Sequence, residues 1–142
     1  MARLMALDLG ERRIGVALSD PGQSFARALQ VIRRRASHQD MARIAALVQE
    51  HSVEKIVVGH PLSLDGTAGQ QALRIEASAE ELRRAVEIPV VLWDESYSTE
   101  RARQVMIEAG RKRKERRERL DAVAAAVILQ DYMDNQRQRT GE

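Results

Sequence analysis

Three observations in the 142-residue sequence predict an α/β fold on a five-stranded mixed sheet. The first 33 residues hold three short apolar runs separated by tight turns, the pattern of an antiparallel meander. Two later apolar runs, Ile56-Val57-Val58 and Val90-Val91-Leu92, are each preceded by a helical pattern. Such strand–helix–strand connections are right-handed crossovers that make strands parallel. The last helical stretch, from Leu120, is apolar around much of its circumference and must be covered by the sheet. Three antiparallel strands followed by two parallel crossover strands, with helices on both faces, is the arrangement that satisfies all three.

The elements follow in order. Leu4-Met5-Ala6-Leu7 is a central buried strand ending at Asp8, and Gly10 permits the reversal into a second strand, Ile14 to Leu18. Ala28 to Arg33 is the third strand, preceded by Phe25 and ended by Arg33-Arg34-Arg35. Ser37 with Asp40 gives a helix-start signal, and Met41, Ile44, Ala45 and Val48 line one face of a helix reaching about His51. Lys55 to Gly59 is a buried strand, and His60 to Gly69 a loop punctuated by Pro61, Gly66 and Gly69. A helix from Gln70 sets Ile75, Ala79, Leu82 and Val86 on one face, and Val90 to Trp93 is the fifth strand. After Asp94-Glu95 and the turn Ser96-Tyr97-Ser98-Thr99, a third helix is expected to Ala109, stopped by Gly110. The final helix runs from Leu120 to about Arg137, with Leu120, Val123, Ala124, Val127 and Ile128 as its stripe, widened by Ala125, Ala126 and Leu129.

No linker or internal repeat divides the chain, so residues 1–142 are expected to form one domain, with 110–119 a basic loop and 138–142 a disordered tail. Cysteine is absent, which excludes thiolate metal sites and fits a reducing compartment. No apolar stretch nears the ~20 residues of a membrane span, and residues 1–10 lack a signal-peptide pattern. The expectation is a cytoplasmic protein with no membrane partner. The formal charge of +2 is unevenly spread, because Arg111 to Arg119 holds seven Lys or Arg against Glu115 and Glu118. Either a solvated charged segment or an approach for a polyanion accounts for it.

Parallel strands place their C-terminal ends at one edge, where ligands of open α/β sheets bind. Asp8 and the pair Asp94-Glu95 end two such strands, and Asp121 opens the last helix. Each acid alone has a plainer account: bonding turn amides, a loop charge, or a carboxylate favoured by a helix N-terminus. Three arriving at one edge repel one another, and must protonate, take up solvent or hold cations. Carboxylates without Cys suit Mg²⁺ or Mn²⁺. Two such ions ~3.5–4 Å apart can clamp the attacking and leaving oxygens of a phosphoryl displacement. Residue chemistry alone leaves Asp94 and Glu95 as alternatives.

Asp8-Leu9-Gly10, Arg12-Arg13-Ile14-Gly15-Val16-Ala17 and Ser19-Asp20 resemble the opening signature of the YqgF family of RuvX-like Holliday junction resolvases and pre-16S rRNA nucleases. Ile56-Val57-Val58-Gly59, Pro61-Leu62 and Asp65-Gly66 resemble its middle loop, Asp94-Glu95 with Ser98-Thr99 its second acidic motif, and Asp121-Ala122-Val123-Ala124-Ala125 its terminal helix. The resemblance implies a ribonuclease H-like fold and a nuclease whose catalytic, metal-holding residues are Asp8, Glu95 and Asp121, with Mg²⁺ or Mn²⁺, two ions, as cofactor. One departure is Ser96, where the family commonly has a basic residue. Phosphate contact is then expected from Arg12, Arg13 and the run Arg111, Lys112, Arg113 and Lys114.

The expected activity is metal-dependent phosphodiester hydrolysis in 5′-end processing of pre-16S rRNA, with the ribosomal small-subunit precursor as partner. A Holliday junction resolvase is the alternative, as is a non-catalytic RNA-binding ribosome-assembly protein. Structured RNA suits a monomer, whereas symmetric cutting of branched DNA needs a homodimer, if only a weak one. An actin- or sugar-kinase-like nucleotide site is disfavoured by a length that provides only one such domain. His60 is expected as a loop histidine with an incidental hydrogen bond, and Trp93 as core. The few dispersed aromatics make no base-stacking platform.

Overall fold

Antiparallel pairing starts at the first strand, β1 (Arg3–Leu9), which binds β2 (Arg13–Ser19) in the register Leu7 to Val16 and Asp8 to Gly15. This is the computed structural model of the chain, and it describes residues 2–61, 69–94 and 120–140. The β1–β2 turn is tight: the Gly10 amide donates to the Arg13 carbonyl at 2.9 Å, and a Cβ on Gly10 would lie 2.8 Å from that oxygen. β3 (Ala26–Arg33) pairs with β2 and begins two residues before the expected Ala28.

After α1 (Ser37–Glu50), β4 (Val53–His60) lies parallel to β1. After α2 (Gln70–Ala85), β5 (Val90–Asp94) lies parallel to β4. The sheet order is β3-β2-β1-β4-β5, the mixed sheet expected from the sequence. α3 (Leu120–Thr140) is the last described element. It continues through 138–140, so those residues of the expected tail are helical. The expected helix up to Ala109 and the basic loop 110–119 lie outside the described residues.

The two faces of the sheet are covered differently. Met5, Leu7 and Leu9 of β1, with Ile56 and Val58 of β4, pack with Met41, Ile44, Leu47 and Val48 of α1 and Ile75, Ala79 and Leu82 of α2. Leu4 and Ala6 of β1, Ala17 of β2 and Val57 of β4 pack instead beneath Ala125, Ala126, Ile128, Leu129, Tyr132 and Met133 of α3. The strands read as continuous apolar runs because both faces are dry.

Two local expectations are corrected. α1 starts at Ser37, as its helix-start signal predicts, with Ala36 as the cap, whose amide the Gln39 side chain accepts at 3.4 Å. Asp40 is instead fully buried, accepting the Arg35 amide at 2.9 Å beside the Arg34 guanidinium at 3.5 Å. On α3, Leu120, Val123 and Ala124 are only partly buried, and the packed face is centred on Ala125 and Leu129. Small residues win that position because the helix lies close to the sheet. Gln130, Asp131 and Asp134 are buried as well.

Candidate active site

Asp8 is the penultimate residue of β1 and, by strand alternation, takes the face of Leu4 and Ala6, beneath α3. Gly15 is opposite it on β2. One step beyond the Leu7–Val58 pair, Asp8 comes level with Gly59, which pairs with Trp93. Across the sheet the row therefore reads Gly15, Asp8, Gly59, Trp93. The carboxylate stands between two residues without side chains, at the C-terminal edge of the parallel strands.

α3 enters at this row. A Cβ on Gly15 would lie 1.8 Å from the carbonyl oxygen of Asp121 and 2.2 Å from its carbonyl carbon. The first turn of the helix thus rests directly on Gly15, in the strand beside Asp8, and only glycine allows it. Asp121 sits in that first turn, where the macrodipole favours a carboxylate. Its Oδ2 lies 3.7 Å from Nη1 of Arg13, a residue on the same face two positions before Gly15.

Two of the three expected acids, Asp8 and Asp121, are thereby brought to adjoining positions. Glu95 lies outside the described residues, as do Arg111, Lys112, Arg113 and Lys114. Arg12 is exposed on the β1–β2 turn, its carbonyl accepting the Arg34 amide at 2.9 Å. Asp94 is exposed and pairs with His60 at the end of β4. Both continue the alternation of Val58 and Leu92, so they belong to the α1–α2 face, away from Asp8. His60 Nε2 lies 3.2 Å from Glu76 on α2, which gives it a structural partner on that far face. It ends a strand rather than lying in a loop.

Among the described residues, no three acidic or imidazole side chains converge on a metal position. The donor chemistry nonetheless fits a hard divalent ion, since the adjoining groups are carboxylates on rigid elements and the nearby histidine faces elsewhere. The Arg13 guanidinium beside Asp121 shows that this carboxylate accommodates a cation.

The residues that hold this corner together were less visible in the sequence. Trp93 is only partly buried; its indole N–H donates to Asp131 Oδ2 at 2.8 Å, and its ring meets Tyr132 edge-on at 5.2 Å. The end of β5 is thereby tied to α3. Gln130 accepts the Ala26 amide and donates to the Ser24 carbonyl, both at 3.0 Å, fixing α3 to the β2–β3 turn. In that turn Asp20 accepts the amides of Phe25 at 2.8 Å and Ser24 at 2.7 Å. The Phe25 amide above all holds its carboxyl below the usual aspartate value, with partial burial opposing and the Ser24 amide assisting. Gly15 itself carried a signal: a glycine inside an apolar strand marks a close backbone approach.

A family model described as RuvX, Holliday junction resolvase, matches residues 2–135. The chain belongs to the RuvX family. Curated relatives agree: a protein of Desulforamulus reducens named "Putative pre-16S rRNA nuclease" is 44% identical over 94% of this chain and 97% of its own length. One of the same name from Anaeromyxobacter sp. is 48% identical over 93% of this chain and 96% of its own. Among solved structures, RuvC of T. thermophilus in complex with a Holliday junction substrate superposes with a TM-score of 0.62 at 13% identity, covering 99% of this chain and 97% of that one. The fowlpox virus Holliday junction resolvase gives 0.55 at 12% identity, covering 94% and 99%. The chain thus shares the ribonuclease H-like fold of these resolvases. Among the described residues, no helix is long and apolar enough to cross a membrane.

Proposed function

We propose that the chain is a divalent-metal-dependent nuclease that hydrolyses phosphodiester bonds, with 5′-end processing of pre-16S rRNA as its role and Asp8, Glu95 and Asp121 as its catalytic residues. The observation that carries the reading is the approach of the α3 N-terminus to Gly15, which sets Asp121 beside Asp8 over a glycine-lined row. Family membership supports the hydrolytic chemistry, and the names of the curated relatives favour the RNA substrate.

The three acids would hold Mg²⁺ or Mn²⁺. Ions bound there supply charge neutralisation at the phosphate and activation of the water nucleophile. The chain's own residues do the rest. Gly15 admits the first turn of α3 beside Asp8, and Gly59 adds no side chain on the other side of that carboxylate. The rigid strand fixes Asp8, and the Trp93–Asp131 hydrogen bond anchors the end of β5 immediately before the second acidic motif. Asp94 lies on the α1–α2 face, away from Asp8, and the family resemblance names Glu95 as the second acid. Arg12 and Arg13 neutralise phosphates flanking the scissile bond, giving salt-sensitive affinity with little sequence readout.

The family description favours a second reading, resolution of four-way DNA junctions. A competition assay decides between them. Purified chain with Mg²⁺ is given an end-labelled 16S precursor carrying its 5′ extension and a four-way junction of equal length. Preferential trimming of the RNA is expected; symmetric nicking of the junction with intact RNA would transfer the role to DNA.

A further inference from the structure

Five arginines from two separate segments converge at one corner of the sheet, beside the Asp8 edge. Arg13 opens β2 with Arg12 in the turn just before it, and Arg33 ends the antiparallel β3 with Arg34 and Arg35 just after it. Arg13 and Arg33 are direct cross-strand partners, and the Arg34 amide donates to the Arg12 carbonyl. Like charges directly opposite on neighbouring strands are destabilising. A fold that keeps such a pair at its ligand edge has an anion to gain there.

The five divide by what their side chains meet. Arg13 faces Asp121 at 3.7 Å, and Arg34 faces buried Asp40 at 3.5 Å while donating to the Gly10 carbonyl at 3.0 Å. These two are engaged in building the corner. Arg12, Arg33 and Arg35 are exposed and meet no acidic side chain among the described residues. Glu11, the acid nearest Arg12 in the turn, is turned to Arg74 at 3.3 Å.

Position gives the corner its direction. Arg33 shares the face of Arg13 and Gly15, hence that of Asp8. It lies two strands across and two residues outward from Asp8, about 12 Å by standard strand spacings. That span is roughly three to four nucleotides of helical rise.

We infer that Arg33 and Arg35, continuing from Arg12, form a track for the phosphodiester backbone that leads a substrate strand away from the Asp8 row across the ends of β2 and β3. The track rests on the nuclease reading for its substrate class and adds residues that binding requires beyond the catalytic row. Its contacts are to phosphate, so it tightens RNA and DNA alike and reads no bases.

The test is binding, kept apart from cleavage. Full-length wild type, the double variant Arg33→Ala/Arg35→Ala and the charge-matched control Arg84→Ala/Arg139→Ala are titrated by fluorescence anisotropy in EDTA. The probes are a 5′-tailed RNA stem-loop and a four-way DNA junction, at 50 to 200 mM KCl. Both control positions are exposed, on α2 and near the C-terminal end of α3. The track predicts that the corner variant lowers the slope of log K against log salt by about 1.4 for a single strand or 1.8 for a duplex, two phosphate contacts' worth. Affinity falls tenfold or more, the control stays as wild type, and Arg33→Lys/Arg35→Lys retains most of the slope. Unchanged affinity and slope in the corner variant, or an equal loss in the control, overturns the track. Cleavage by wild type with Mg²⁺ is scored in parallel. Cutting with an unaltered salt slope sinks the track and leaves the nuclease, whereas a reduced slope without cutting by any form does the reverse.

Discussion

Replacing Gly15 by alanine places a methyl group 1.8 Å from the Asp121 carbonyl oxygen and 2.8 Å from the Ala122 nitrogen. Neither neighbour is a flexible side-chain tip. Both belong to the first turn of α3, whose later turns are packed against β1, β2 and β4. Reaching an ordinary contact requires the helix end to retreat by about 1.5 Å. Overpacking of this kind costs about 2–3 kcal/mol, or roughly 6–12 °C in Tm for a domain of this size. The retreat carries Asp121 away from Asp8, and a misplacement near 1 Å costs on the order of 100-fold in rate. Thermal unfolding by circular dichroism reads the first effect and single-turnover cleavage the second. A Gly15→Ala protein with wild-type Tm and rate would refute the seating of α3 on this strand and, with it, the juxtaposition of the two carboxylates.

Arg34→Ala leaves Asp40, which is fully buried, with the Arg35 amide but no cation, and should destabilise the fold by about 3–5 kcal/mol in urea titrations. A loss under 1 kcal/mol would mean that Asp40 is solvated. Asp20 has a depressed carboxyl pKa, so its contribution is present above the unfolded value near 3.9 and is lost as pH falls through the lower folded value. Asp20→Asn should therefore be less stable than wild type at pH 7 and converge with it as the pH falls through the folded-state value; a constant gap across that titration would contradict the two amide bonds as the cause. Trp93→Phe keeps the ring but removes the donor to buried Asp131, and a loss of about 1–3 kcal/mol with a matching fall in Tm is expected.

The sheet was legible because its strands obey simple rules: short apolar runs, turns at Gly10 and crossover helices leave one topology. Asp8 was legible for the same reason, as a carboxylate ending a buried strand. The sequence did not choose between Asp94 and Glu95, since which face a strand-end residue takes depends on the pairing of β5 with β4. The stripe of α3 was legible at Val127, Ile128, Ala125, Ala126 and Leu129, which are buried, and missed at Leu120, Val123 and Ala124, which are only partly so. Ala125 and Ala126 pack against the sheet together with Ile128 and Leu129. Gln130 and Asp131 carried no sequence signal, because their partners, Ala26, Ser24 and Trp93, lie more than 35 residues away along the chain. The arginine corner was hidden likewise: Arg13 and Arg33 are 20 positions apart, and only antiparallel pairing makes them neighbours.

The proposed function assigns catalysis to the α3 face of the strand ends. The most direct measurement compares single-turnover cleavage of the 5′-extended RNA by wild type, Asp8→Asn and Asp94→Asn, with Mg²⁺ and with EDTA. Asp8→Asn should lose at least about 1,000-fold, a few kcal/mol of transition-state stabilisation, with its Tm preserved. Asp94→Asn should retain activity within a few-fold, and EDTA should stop cutting. Full activity in Asp8→Asn, or a loss confined to Asp94→Asn, would move the chemistry to the other face of the sheet and contradict the assignment.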